Sequence, residues 1–341
     1  MFHERVIAVS QATPVPLLPE PPAGARLLVD TPGALAAAAP EIRDAGALAL
    51  DVEAGKPRGA PMAVAALIQI AAPGRTWLID PLRLAGRLAS LDAALRAGTG
   101  PVAVFDAPGD VRWLEGAGVH LASATDLLQV TRSAYGETDK SLREALRRHF
   151  RVGIDKSGQQ ADWLARPIPG PLRHYAARDA ELTLALAQRY AALFADLMRL
   201  HTYPGGHAPV PENLPTWMRR VVLGERVPAY VLAAEDGLPI DSADSIALLL
   251  AGAAHSLDVV RVPWQRARIY RAIAELDLHE LADRSAGGLA SPCAVERAAA
   301  ARALGELGAT EHVEALDTAR ADPVPEVARA AARALATLRR G

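Results

Sequence analysis

A single cysteine, Cys293, is all the sulfhydryl chemistry this chain of 341 residues has. That excludes an internal disulfide framework and a cysteine-built zinc site, and leaves Cys293 to be read as a small buried hydrophobe. Charge of one sign is also lacking. The formal net charge is −2, so no global basic field announces a polyanionic partner, and any such contact must come from a local patch. Apolar runs such as Ile246 to Ala254 fall far short of the roughly 20 residues a membrane span needs. Met1 to Glu20 lacks the charged start and apolar core of a signal peptide, so a soluble, cytoplasmic protein is expected. What is present is a globular composition, half hydrophobic and 22% charged, over a length sufficient for two cored domains.

Residues 1–24 are proline-rich and without period, and predict an extended arm. Leu27, Leu28 and Val29 then meet Asp30-Thr31-Pro32, a helix start, with the helix running from Ala34 to about Arg43. Three strand-like runs follow, Ala47 to Glu53, Ala65 to Ile70 and Thr76 to Ile79. After a helix near Leu84 to Leu95 and a strand at Val102 to Phe105, the pattern is almost wholly helical up to Arg199. Strands followed by interleaved helices predict an α/β layered domain over 25–200. His201 to Pro215 carries four prolines and Gly205-Gly206, which marks a boundary, with linker and bridging helices expected over 201–261.

The tail repeats. Arg271-Ala-Ile-Ala-Glu-Leu276 returns as Arg302-Ala-Leu-Gly-Glu-Leu307 and as Arg333-Ala-Leu-Ala-Thr-Leu338, each 31 residues on. A fixed period of this size, with a proline between units, predicts stacked helical hairpins over 262–341, similar to short HEAT repeats. Such an array is expected either to offer a protein partner a surface or to extend and stabilise the fold.

In Leu48-Ala-Leu-Asp-Val-Glu53, residues two apart share a strand face, so Asp51 and Glu53 project together while Leu48, Leu50 and Val52 pack opposite. Two carboxylates so placed repel unless a cation lies between them. The same pattern at Asp179-Ala-Glu181 falls in a helical stretch, where the two side chains splay apart. Asp110 opens the helix after Val102 to Phe105, where an acid suits the helix dipole even without a catalytic role. Tyr175 lies one helical turn before Asp179, and positions i and i+4 share a face.

Taken in order, Asp51-Val-Glu53, Asp110 and Tyr175-Ala-Ala-Arg-Asp179 resemble the motifs of ribonuclease D and the wider DEDD exonucleases, tyrosine branch. The resemblance runs from about Arg26 to Leu186. It extends to Leu67-Ile-Gln-Ile70, Leu78-Ile-Asp-Pro-Leu82, Asp155-Lys-Ser-Gly-Gln159 and Ala161-Asp-Trp-Leu-Ala-Arg-Pro167. It implies a ribonuclease H-like mixed sheet flanked by helices, here followed by the all-α repeat domain. It implies two Mg²⁺ or Mn²⁺ ions, hard cations for hard oxygen ligands. Asp51, Glu53 and Asp179 would hold the ion that activates water, Asp51 would bridge to the second ion, and Asp110 would support that one. Tyr175 would orient the water, and the products would be nucleoside 5′-monophosphates released from a 3′ end.

Between Arg132 and Arg178 ten Lys or Arg face five acids, a local excess that suits a phosphate backbone. Lys156, Gln159, Trp163 and Arg166 lie in the resembling blocks and are the expected substrate contacts. The sequence departs from the family at Ala54, where a bulky apolar residue is usual, and at Asp106, where many members have histidine. Single-stranded or 3′-overhanging nucleic acid is the expected substrate, RNA before DNA. An inactive scaffold that merely binds nucleic acid or a partner is the alternative from another class.

Overall fold

The computed structural model describes residues 25–98, 100–136, 141–152, 158 and 160–340. The proline-rich arm lies outside the described residues. Within them the chain divides into two compact units, 25–130 with 141–208 and 131–136 with 209–340.

The first unit is built on one mixed sheet. In chain order its elements are β1 (Arg26–Val29), α1 (Pro32–Asp44), β2 (Leu48–Gly55), β3 (Val64–Ala72), β4 (Arg75–Ile79), α2 (Ala89–Ala97), β5 (Val102–Val104) and α3 (Ala107–Gly116). They continue with β6 (Ser123–Asp126), the start of α4 (Leu127–Tyr135), α5 (Leu142–Phe150), α6 (Gly170–Leu193), α7 (Ala195–Leu200) and β7 (Thr202–Pro204). The strand order is β1-β4-β3-β2-β5-β6-β7. β3 runs antiparallel to both neighbours and β7 to β6, and the remaining pairs are parallel.

Local chemistry explains these elements. Thr31 caps α1, its hydroxyl accepting the Ala34 N–H at 3.2 Å, and Pro32 occupies the first turn. β3 reads Val-Ala-Ala-Leu-Ile-Gln-Ile-Ala-Ala and is buried along all but its first residue, because helices cover both faces of the sheet. On one face Leu48, Leu50, Val52, Ile68, Ile70 and Ile79 pack under α1, α2 and α3. On the other, Leu67 and Leu78 meet Ala176 and Ala177 of α6, whose small side chains let the helix lie close to the sheet.

The mixed sheet flanked by helices is as the resemblance implies. Three of its strands go beyond those the sequence predicts. β1 (Arg-Leu-Leu-Val) shows in the sequence only as an apolar stretch before a helix, β6 (Ser-Ala-Thr-Asp) and β7 (Thr-Tyr-Pro) are too short for a period-2 pattern, and β7 carries the sheet past residue 200. Likewise α6 begins at Gly170, five residues before the tyrosine motif.

The described part of the second unit is all helical. It comprises α8 (Thr216–Leu223), α9 (Ala229–Glu235), α10 (Ala243–Val259), α11 (Pro263–Glu275), α12 (Ala282–Gly287), α13 (Ala294–Glu306), α14 (Val313–Ala319) and α15 (Pro325–Leu338). Pro263, Ala294 and Pro325 each open a helix, and they lie at the sequence period of 31. Ion pairs tie the repeat units together, the partly buried Arg266 of α11 to Glu296 of α13 at 2.6 Å and the buried Arg297 of α13 to Asp322, in the turn before α15, at 2.7 Å. Gly305 of α13 faces α15 so closely that a Cβ there would stand 2.6 Å from the Ala334 Cα. Trp217, Met218, Leu249 and Leu257 belong to the same core, so the helices within 209–261 pack with the helical unit.

Candidate metal centre

β2 delivers the first two acids. Leu50 and Val52 point into the core under α1, so Asp51 and Glu53 leave the sheet on the face that α6 covers. α6 delivers the third. Carboxylate oxygens of Asp51, Glu53 and Asp179 all lie within 4.8 Å of one another. Glu181, two residues on, turns away as the helical period requires and binds Arg26 with both oxygens at 2.7 Å and the Thr76 hydroxyl at 3.1 Å.

The electrostatics of the three acids are those of a site that wants a cation. Burial pushes the Asp51 carboxyl up to about 6. Burial, then the charges of Asp51 and Asp179, push Glu53 up to about 8. Burial, then Asp51, push Asp179 up to about 7, against a hydrogen bond donated by the Tyr175 hydroxyl. Asp179 Oδ1 is buried and has no hydrogen-bond partner. A hard divalent cation fits this donor set: it supplies the positive charge the oxygens lack and gives the buried oxygen a partner. Tyr175 is held as a donor, since burial and the neighbouring Asp179 raise its phenol above the ordinary range. Its ring packs beside Trp163, with centroids 6.2 Å apart.

Asp110 stands outside the close triad, in the first turn of α3. Burial, then the charges of Asp51, Asp106, Glu53 and Asp126, hold its carboxyl well above the usual range, which places it in the same field. Two of these neighbours were not anticipated as site residues. Asp106 heads α3 in the left-handed conformation (φ 65°), one that aspartate tolerates better than most residues. Asp126 ends β6, where its carboxylate accepts the N–H groups of Leu128 at 3.0 Å and Gln129 at 3.3 Å. Burial, then Asp106, push it up to about 7. β2, β5 and β6 are mutually parallel, and these acids gather at their carboxyl ends, where ligands of open α/β sheets are bound. An acid directly after a short apolar strand was the available signal; without β6 in view, Asp126 gave none.

The expected substrate contacts divide. Lys156 and Gln159 lie outside the described residues. Arg166 and Trp163 are described, and both make contacts within the protein. The Arg166 guanidinium is spent on the protein: Nε meets Asp80 Oδ2 at 2.6 Å, Nη2 donates to Ala66 O at 2.6 Å, and Nη1 donates to Trp163 O at 2.7 Å. Asp80, itself 2% exposed, also accepts the N–H groups of Leu82 and Arg83, so this pair pins the 161–168 segment to the end of β4. Trp163 is buried among Leu67, Leu78 and Ala176, and buttresses Tyr175 instead of offering a stacking face.

Arg166→Ala is therefore expected to lower unfolding stability by about 3 kcal/mol, the cost of stranding a buried carboxylate. Urea unfolding measures it, and a loss below about 1 kcal/mol would restore the guanidinium to a substrate role.

Residues 28–192 match the family model described as 3′-5′ exonuclease. The exosome complex component 10 homolog of Drosophila melanogaster is 29% identical over 192 residues, which are 56% of this chain and 21% of that protein. The chain thus spans about a fifth of the length of that curated relative. Among solved structures, the catalytic core of RRP6 from Trypanosoma brucei is 17% identical with TM-score 0.48, covering 99% of this chain and 84% of its own. Escherichia coli RNase D is 18% identical with TM-score 0.45, covering 92% and 74%. The Aedes aegypti Nibbler EXO domain is 20% identical with TM-score 0.45, covering 53% and 94%. The stretch that matches the 3′-5′ exonuclease family, residues 28–192, is the one that carries the acidic motifs in order and brings Asp51, Glu53 and Asp179 together on one sheet face.

Proposed function

We propose that the chain is a metal-dependent 3′-5′ exonuclease that releases nucleoside 5′-monophosphates from nucleic acid, RNA in preference to DNA. The observation that carries this reading is the closeness of Asp51, Glu53 and Asp179, whose mutual repulsion raises the Glu53 carboxyl and which pair with no cation among the described residues. Asp51, Glu53 and Asp179 would hold one Mg²⁺ or Mn²⁺, and Asp51 with Asp110 a second. Bound there, the ions supply a nucleophilic water and neutralise charge on the scissile phosphate. The protein's own groups do the rest. Tyr175, its hydroxyl proton donated to Asp179 and its ring packed beside Trp163, leaves its hydroxyl oxygen to accept a hydrogen bond from the attacking water and so orient it. Its raised phenol makes it an orienting group and not the proton acceptor.

RNA preference rests on the ribonuclease D type of the motif set and requires contacts to the 2′-hydroxyl. A panel of 3′-labelled single-stranded RNA, structured RNA, single-stranded DNA and recessed duplex, incubated with Mg²⁺ or Mn²⁺, tests it. The expected result is stepwise release of labelled 5′-monophosphate, fastest from single-stranded RNA. Faster release from DNA would reverse the preference, and no release from any substrate would leave the scaffold reading.

A further inference from the structure

Gln69 lies in the middle of β3, between Ile68 and Ile70, and is 0% exposed. Neither its Nε2 nor its Oε1 has a hydrogen-bond partner among the described residues. A buried amide left unpaired is destabilising, and an apolar residue of similar size would avoid that cost. Some buried polar side chains of this unit do find partners: Asp80 holds Arg166, and Thr125 shares a hydrogen bond with Thr202 at 2.7 Å. Gln69 has neither amide atom so paired, and it sits on the sheet beside Asp51.

The sheet register says what it faces. Gln69 is the Cα partner of Asp51 on β2 and of Leu78 on β4. Paired residues point to one face with Cβ atoms about 5 Å apart, so the Gln69 amide and the Asp51 carboxylate leave the sheet side by side. Over that face runs α6, with Ala176, Ala177 and Ala180 buried against the sheet. Asp179 of the same helix has its own buried, unpartnered Oδ1, and its carboxylate lies within 4.8 Å of Asp51. A two-proton donor without acceptors and a carboxylate oxygen without a donor thus flank the same aspartate.

We propose that Gln69 is a positioning residue of the metal centre, its side-chain NH₂ donating to the carboxylates of Asp51 and Asp179 and fixing which oxygens face the cation. The inference rests on the metal-nuclease reading and deepens it. It gives the amide a reason to be glutamine: leucine or methionine would fill the space, while only a neutral donor orients two carboxylates without adding charge. Groups of this kind set ligand geometry, and their loss weakens metal binding about 10- to 100-fold.

The test uses the full chain. Mn²⁺ affinity by electron paramagnetic resonance and metal-free melting in EDTA are measured for wild type, Asp51→Asn, Gln69→Leu and Gln69→Met. The expected result is Mn²⁺ affinity about 10- to 100-fold weaker in both Gln69 variants, with metal-free melting temperatures equal to or above wild type. If wild type binds Mn²⁺ and both Gln69 variants match it, the positioning role is overturned while the metal reading stands. If wild type itself binds no Mn²⁺, the metal reading fails and this inference with it. If Gln69→Leu does not fold, Gln69→Met decides. Loss of fold in both variants makes Gln69 a core residue and overturns the proposal.

Discussion

Asp51→Asn is expected to abolish the proposed nucleotide release, lowering the rate by about 10³-fold or more while the fold is retained. Asp51 has both other acids of the triad within 4.8 Å, and its charge raises the carboxyls of Glu53, Asp179 and Asp110 alike. It is the centre of the site's negative field. Asparagine keeps the shape but removes the charge that draws the cation, and loss of about 4 kcal/mol of transition-state stabilisation corresponds to that factor. The same substitution relieves repulsion, so the metal-free protein should melt at or above the wild-type temperature. Initial rates with Mn²⁺ and melting in EDTA check both halves. Activity within ten-fold of wild type would remove Asp51 from the centre.

The second large effect is on stability against pH. Asp51, Asp179 and Glu53 titrate near 6, 7 and 8 in the folded protein, against about 4 for a free carboxyl. A carboxyl whose folded value lies above its unfolded one holds its proton more tightly when folded. Stability from these groups is therefore complete below about pH 4 and is lost as pH climbs through 6 to 8. The metal-free protein should lose on the order of a few kcal/mol between pH 5 and pH 8.5, counting these three groups. Mn²⁺ should restore it, by about 2.7 kcal/mol when free metal is a hundred times its dissociation constant. Melting curves in EDTA and in Mn²⁺ at the two pH values measure this. Metal-free stability that is flat or rises over that range would contradict the clustering of uncompensated acids.

Both effects involve residues whose pairing was legible in the sequence. Asp51 and Glu53 were put on one face by strand alternation, and Tyr175 and Asp179 on another by the helical turn. Even the splaying of Asp179 and Glu181 was foreseeable, and Glu181 went to Arg26 as a result. The internal contacts of Trp163 and Arg166 are not legible in the sequence, because an aromatic and a cation beside a nuclease motif suit stacking and phosphate binding as well as packing and pairing. Burial depends on what the rest of the chain places overhead. Asp126, at the end of β6, meets the same limit. A four-residue strand is specified by its neighbours in the sheet more than by its own pattern, so Asp126 has no visible company in the sequence.

The sequence by itself determined the ligand types, their order, the faces within each element and the 31-residue helical period, because these depend on the local geometry of one strand or one helix. Only the tertiary structure decided that Asp179 comes within 4.8 Å of Asp51 and Glu53, that Asp126 joins Asp106 and Asp110, and that Gln69 is sealed without a partner next to Asp51. Those facts depend on sheet order and on how closely α6 seats on the sheet. Both are set by the fit of alanines against β3 and β4, which no single stretch of sequence contains.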